Sequence, residues 1–347
     1  MWKNCYSVAR DNFLSYSSKN YSHIVKKTGS YYVNDDKSTS IDYLFLGNPE
    51  NTKLHILISG THGVEGYAGS AIQFKTLDRI IENPKLKENS YLMIHALNPY
   101  GYKYNRRCTK DNVDLNRNYL ESDDFHETNY PYSIFELVST YLFSLYFVYL
   151  FFYNILHFGY TKSREYIVKG QYDYNNGLFY GGEKREENIE ILEKILSTIN
   201  YDNFNEVYVF DIHTGLGKYG NLSVMVSEQN TVKDLIHLPY NPTTKLINMG
   251  TDNMYRDSKG SIVDGIDEYL TKKNDNLHIY PIILEYGTYH NLRMFFGLLM
   301  ENYYYCKKDK DQWSKSNQRL KSLFYIQDED WQNLVIENYT DFITILM

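Results

Sequence analysis

Residues 53–66 read Lys-Leu-His-Ile-Leu-Ile-Ser-Gly-Thr-His-Gly-Val-Glu-Gly. Lys53–Ser59 is a short apolar run that stops at Gly60, the pattern of a strand covered on both faces. Working outward, Ser70 is placed to cap a helix carrying Ala71, Phe74, Leu77, Ile80 and Ile81, which must end before Pro84. Tyr91–Leu97 is the next strand, closed by a turn at Asn98-Pro99-Tyr100-Gly101. Glu187–Ile199 places Ile189, Leu192, Ile195, Leu196 and Ile199 on one helical face. Glu206–Ile212 and His278–Leu284 supply two more strands, with Pro281 suggesting an edge or a bulge in the second. Strands alternating with helices define an α/β sheet with helices on its faces. Residues 1–40 are polar and mixed, and yield no more than a short helix and loop. With no internal repeat and no Gly/Ser/Pro linker, one domain over 1–347 is expected.

Composition narrows the function classes. The 347 residues carry 36 Lys+Arg against 43 Asp+Glu, a net charge of −7. That acidity argues against a nucleic-acid binder, which needs a basic face. Cys5, Cys108 and Cys306 are too few and too scattered for a disulfide framework, so a reducing compartment is expected. Residues 1–20 have no continuous apolar core and no small-residue cleavage site, which points to the cytoplasm.

Residues 137–161 contain no charged side chain. The length could span a bilayer. Ser144, Asn154 and His157 interrupt it, however, and its many tyrosines favour interfaces over hydrocarbon. A buried or partly exposed helix is therefore expected, inserted at about 134–160. Contact with a membrane surface or a second copy stays open.

Three apolar runs lead into residues able to do acid/base or metal chemistry. The first enters Gly60-Thr61-His62-Gly63-Val64-Glu65-Gly66, the second Asp211-Ile212-His213-Thr214-Gly215, and the third Glu285-Tyr286-Gly287-Thr288. Ligands of open α/β sheets gather at the carboxyl ends of strands. Two His and one Glu at such ends give a catalytic zinc three protein ligands and one open position. Each feature alone is ordinary; HxxE recurs by chance, and a strand-end His or Glu is usually structural. Their combination with Asn98-Pro99-Tyr100-Gly101, Arg106-Arg107-Cys108 and Asn112-Val113-Asp114-Leu115-Asn116-Arg117-Asn118 is specific.

Five motifs in order, HGVEG, NPYG, RRCTKDNVDLNRN, DIHTG and LEYGT, closely resemble the zinc carboxypeptidase superfamily of the carboxypeptidase A/B type. They span residues 54–290. Gly170–Lys184 (GQYDYNNGLFYGGEK) further resembles an uncharacterised branch of that superfamily, a domain of unknown function. The resemblance implies a mixed, largely parallel sheet flanked by helices. It implies zinc held by His62, Glu65 and His213, with Asp114 orienting His62 from behind. Glu285 would be the general base, Arg107 would stabilise the oxyanion, and Asn116 and Arg117 would bind a substrate carboxylate. The family's mobile substrate-positioning tyrosine has three candidates here, Tyr255, Tyr269 and Tyr280.

The leading expectation is a zinc-dependent hydrolase that removes a C-terminal amino acid or cleaves a related amide. An acylase acting on N-acyl amino acids shares the same metal residues and arginines; the DLNRN and EYGT motifs favour the peptidase. Either substrate would carry a free carboxylate. A non-catalytic or membrane-associated protein keeping the fold is disfavoured by the full ligand set. For Arg106, Arg107 and Arg117 the plain alternative is a solvated loop paired to Asp111 and Asp114.

Overall fold

The computed structural model describes residues 1–346 except 20, 22–23, 34–36, 127–148, 150–151, 154–155, 227–232, 236–237, 239 and 253–257. Its strands are β1 (Val25–Tyr32), β2 (Ser40–Gly47), β3 (Lys53–Ser59), β4 (Ser90–His95), β5 (Glu206–Gly215), β6 (Leu222–Val226), β7 (Lys245–Asn248) and β8 (His278–Gly287). They form one sheet in the order β1-β2-β4-β3-β5-β8-β6-β7. The four central strands, β4-β3-β5-β8, run parallel. β2 pairs antiparallel with β1 on one side and with β4 on the other, β6 runs antiparallel to β8, and β7 is parallel to β6. The sheet is thus mixed and largely parallel, as the sequence leads one to expect.

Helices cover both faces: α1 (Tyr6–Ser18), α2 (Gly66–Glu82), α3 (Pro99–Tyr104), α4 (Tyr160–Val168), α5 (Glu187–Ser197), α6 (Ile262–Lys273), α7 (Asn291–Cys306), α8 (Lys310–Phe324) and α9 (Glu329–Leu346). Alternate strand residues serve opposite cores. Tyr208, Phe210 and Ile212 join Phe13, Ile72 and Trp331 on the α1, α2 and α9 side. Val207 and Val209 join Leu192, Ile195 and Ile266 on the α5 and α6 side. Burial on both faces explains why β3 and β5 read as continuous apolar runs.

Four local expectations change. Ser70 does not cap α2, which starts four residues earlier at Gly66; the Ser70 hydroxyl donates instead to the Gly66 carbonyl at 2.6 Å. The Asn98–Gly101 turn is the first turn of α3, with Asn98 accepting from the Gly101 N–H. Pro281 lies inside the sheet between β5 and β6, neither at an edge nor isolated. Its register with β5 is continuous, and among the described residues β6 pairs with β8 from Tyr286 to Ile282. Within residues 1–40, where no more than a short helix and loop is expected, the chain forms α1 and also the strand β1, and β2 begins at Ser40. Most of the aromatic insert lies outside the described residues.

Candidate metal centre and active site

The parallel strands deliver the chemistry to one edge. β3 ends at Ser59, and Gly63–Glu65 forms a single 3-10 turn leading into α2. That turn is pinned by the Gly63 N–H on the Arg107 carbonyl and the Val64 N–H on the Arg106 carbonyl. Gly63 is required there, because a Cβ would stand 2.1 Å from the Gly101 carbonyl carbon. His213 and Glu285 face each other in register on β5 and β8, inside the strands rather than beyond their ends.

His62, Glu65 and His213, all buried, present ligand atoms within 4.8 Å of one another. His62 Nδ1 is 3.0 Å from Glu65 Oε1, His213 Nδ1 is 2.8 Å from Glu65 Oε2, and the two Nδ1 atoms are 3.0 Å apart. Each ring is held from behind. His62 Nε2 meets Asp114 Oδ1 at 3.1 Å, and His213 Nε2 meets Asp211 Oδ2 at 2.7 Å. A far nitrogen that donates to a carboxylate leaves the Nδ1 lone pair facing inward. With both rings neutral, two such lone pairs and a carboxylate converge on one point and repel unless a proton or a metal cation lies between them. This N,N,O set fits the ligand preferences of zinc.

Asp211 also accepts from the Thr61 hydroxyl at 2.7 Å. Its role is absent from the sequence expectations, although its position two residues before His213 on one strand places both side chains on the same face.

The electrostatics follow from burial and neighbours. Burial opposes the Glu65 charge, but His62 and His213 outweigh it and hold its carboxyl down to about 2. Burial likewise opposes the Asp114 charge, and Arg107 and His62 keep its pKa well below the carboxylate range. Burial works against protonated His213, yet Asp211 and Glu65 raise it well above the usual histidine value. Glu285 goes the other way: burial, then the Glu65 charge, push it up to about 8. Its Oε1 accepts the Leu216 N–H at 2.8 Å.

The arginines are not a solvated loop. Arg106 is fully buried, bonded to Glu301, Thr109 and Asn112 and stacked on Tyr305, which makes it structural. Arg107 donates Nε to Asp114 at 2.9 Å and holds Nη1 3.8 Å from Glu65, while its terminal nitrogens make no hydrogen bond among the described residues. Arg117 donates to the backbone carbonyls of Lys169, Asn116 and Val168. Asn116 commits Oδ1 to the Ile262 N–H, starting α6.

These groups open onto a cavity of ≈ 370 Å³ lined by His62, Glu65, Arg107, Arg117, His213 and Glu285, together with Asn116. Other walls come from segments the sequence does not single out, including Val168, Met225, Met249 and Asp264. Asp114 sits behind the ligands. Tyr269 bonds the Glu193 carbonyl and Tyr280 stacks on Tyr208, and neither lines the cavity. Tyr255 lies outside the described residues.

The chain is similar to several solved structures. Carboxypeptidase A from Helicoverpa armigera superposes with a TM-score of 0.52 at 13% identity, over 92% of this chain and 73% of that one. Bovine thrombin-activatable fibrinolysis inhibitor, solved with a tick carboxypeptidase inhibitor, gives 0.47 at 11% identity, over 92% and 97%. An aspartoacylase family protein from Mesorhizobium loti gives 0.39 at 13%, over 78% and 64%. No curated protein matches by sequence. The fold is that of carboxypeptidase A. The family described as "Protein of unknown function (DUF2817)" matches residues 2–338, so the chain belongs to that family.

Proposed function

We propose that the protein is a zinc-dependent hydrolase that releases a C-terminal amino acid from a peptide or closely related amide. The observation that carries this reading is the convergence of His62 Nδ1, His213 Nδ1 and Glu65 beside Glu285 and Arg107 in one cavity. His62, Glu65 and His213 would hold the ion. Zinc in that position supplies Lewis-acid charge, making water nucleophilic near neutral pH and polarising a carbonyl.

The chain's own residues do the rest. Glu285 takes the proton of the attacking water and returns it to the leaving amine. Its raised pKa suits a group that both accepts and releases a proton near neutrality. A cation beside Glu65 would offset the negative charge that contributes to that rise. The terminal nitrogens of Arg107 donate to the oxygen on which charge develops, in a buried setting that strengthens the contact. Asp114 keeps Arg107 and His62 aligned with one carboxylate. Arg117, with the Nδ2 donor of Asn116, reads the substrate carboxylate.

The test is turnover of short peptides and of N-acyl amino acids with zinc supplied, read by mass spectrometry. Release of the terminal residue by the wild type, lost in Glu285→Gln, supports the peptidase reading. Cleavage confined to N-acyl amino acids would replace it with the acylase reading. No turnover of either class by zinc-loaded protein would refute both.

A further inference from the structure

The loop Gly170–Lys184 has no part in the catalytic reading, yet it carries a strained position in the cavity wall. Phe179 has φ +54°, in the left-handed region that residues other than glycine rarely enter and that a bulky side chain enters only at a cost. Its side chain is buried and lines the cavity together with His62, Glu65 and Arg107. Strain of this kind persists only where the surroundings over-determine it, and it gathers at functional sites.

The surroundings do so here. The Phe179 carbonyl accepts from the Gln171 N–H at 3.1 Å, and the Gly181 N–H donates to the Gln171 carbonyl at 2.8 Å. Gln171 is itself buried, and its Oε1 accepts the N–H groups of Asp173 and Tyr174. On either side of Phe179 the loop is tied to residues 112–118. Asn112 donates to the carbonyls of Asn175 and Gly177, and Asn118 donates to that of Gly181. The Asp114 N–H donates to the Tyr180 carbonyl at 2.7 Å.

The ring so fixed lies against Arg107. Its centroid is 5.0 Å from the guanidinium carbon, within reach of a cation–π contact. Asp114 already holds one edge of that guanidinium through Nε, at 2.9 Å. One hydrogen bond alone leaves the planar group free to turn about it. A ring packed against the group restricts that turning and takes up none of its N–H donors. Both supports lead back to Asp114, whose carboxylate bonds Arg107 and whose N–H bonds the residue after Phe179. We propose that Phe179 is a positioning residue, which holds Arg107 with its terminal nitrogens toward the place where the scissile carbonyl oxygen gains charge. The catalytic consequence rests on the peptidase reading; the restraint on Arg107 does not.

Two measurements on full-length, zinc-loaded protein separate them. The first is the NMR order parameter of the Arg107 Nε–H bond, identified by its loss in Arg107→Gln. It should match ordered backbone, about 0.85, in the wild type, fall below about 0.6 in Phe179→Leu and recover in Phe179→Tyr. Leucine keeps apolar bulk without the ring, and tyrosine restores the ring. The second is turnover of any peptide that the wild type cleaves. Phe179→Leu should lower kcat by about tenfold, the scale of a partly desolvated cation–π contact. KM should stay within about twofold, because the oxyanion contact acts in the transition state. In the Arg107→Gln background the same substitution should cost less than about twofold, since a residue acting through Arg107 then has nothing to position. If Phe179→Leu does not fold, Phe179→Met takes its place. An order parameter unchanged by loss of the ring, a Tyr variant that behaves as Leu does, a loss confined to KM, or a full tenfold loss in the Arg107→Gln background would overturn the assignment. Wild type that cleaves no peptide would remove the peptidase reading and leave the order parameter to decide the restraint.

Discussion

Asp211 Oδ2 lies 2.7 Å from His213 Nε2, so a residue two positions upstream on β5 holds the histidine whose other nitrogen faces His62 and Glu65. Asp211→Asn removes no ligand but weakens that support. Zinc affinity should fall by about 10–100-fold, the range found for such partners, while His62→Ala or His213→Ala should abolish stoichiometric zinc. Calorimetric titration of apoprotein measures both, and wild-type affinity in Asp211→Asn would refute the role.

Glu285→Gln preserves shape but cannot carry a proton. Zinc content and melting temperature should be retained while turnover falls by about 10²–10⁴-fold, as for general acid/base groups elsewhere. Near-normal turnover on any substrate the wild type cleaves would rule out a catalytic Glu285.

Arg117 braces the end of α4 as well as facing the cavity, so Arg117→Lys, which keeps the charge and loses the fork, is the cleaner probe. Charge-assisted hydrogen bonds contribute about 1.5–3 kcal/mol. Wild type should therefore favour a free-acid peptide over its amide roughly tenfold or more in kcat/KM. The variant should lose most of that preference through the free-acid substrate. Equal cleavage of both peptides by the wild type would exclude an exo-acting enzyme.

His55 is fully buried on β3 between Tyr91 and Tyr208, with no hydrogen-bond partner at either nitrogen among the described residues. Burial pushes its pKa down to about 3. Below the ordinary histidine value the unfolded chain binds a proton that the folded chain refuses until near pH 3. Stability should therefore fall as pH drops through that window, by about 1.4 kcal/mol per unit for this group once its unfolded form is protonated. His95, also buried and lowered to about 3, adds a second such contribution. His55→Phe should roughly halve the pair's pH dependence in urea unfolding between pH 6 and 4. An unchanged slope would show that His55 is not the source.

The sequence by itself determined the strands that carry the site. β3, β5 and β8 are covered on both faces, and that requirement writes itself into each segment as an apolar run. His62, Glu65, His213 and Glu285 were legible for the same reason, since each follows or ends such a run. β1, β6 and β7 left no comparable signal, because β1 and β7 lie at the sheet edges, β1 mostly exposed and β7 only partly buried, while β6 spans five residues. Pairing across the chain was decided only in three dimensions. His62 and His213 are 151 residues apart and meet because β3 and β5 are parallel neighbours. The same holds for Arg117, whose guanidinium joins the cavity to α4. Local pattern records how deeply a segment is buried, whereas which segments become neighbours depends on how the whole chain closes around them.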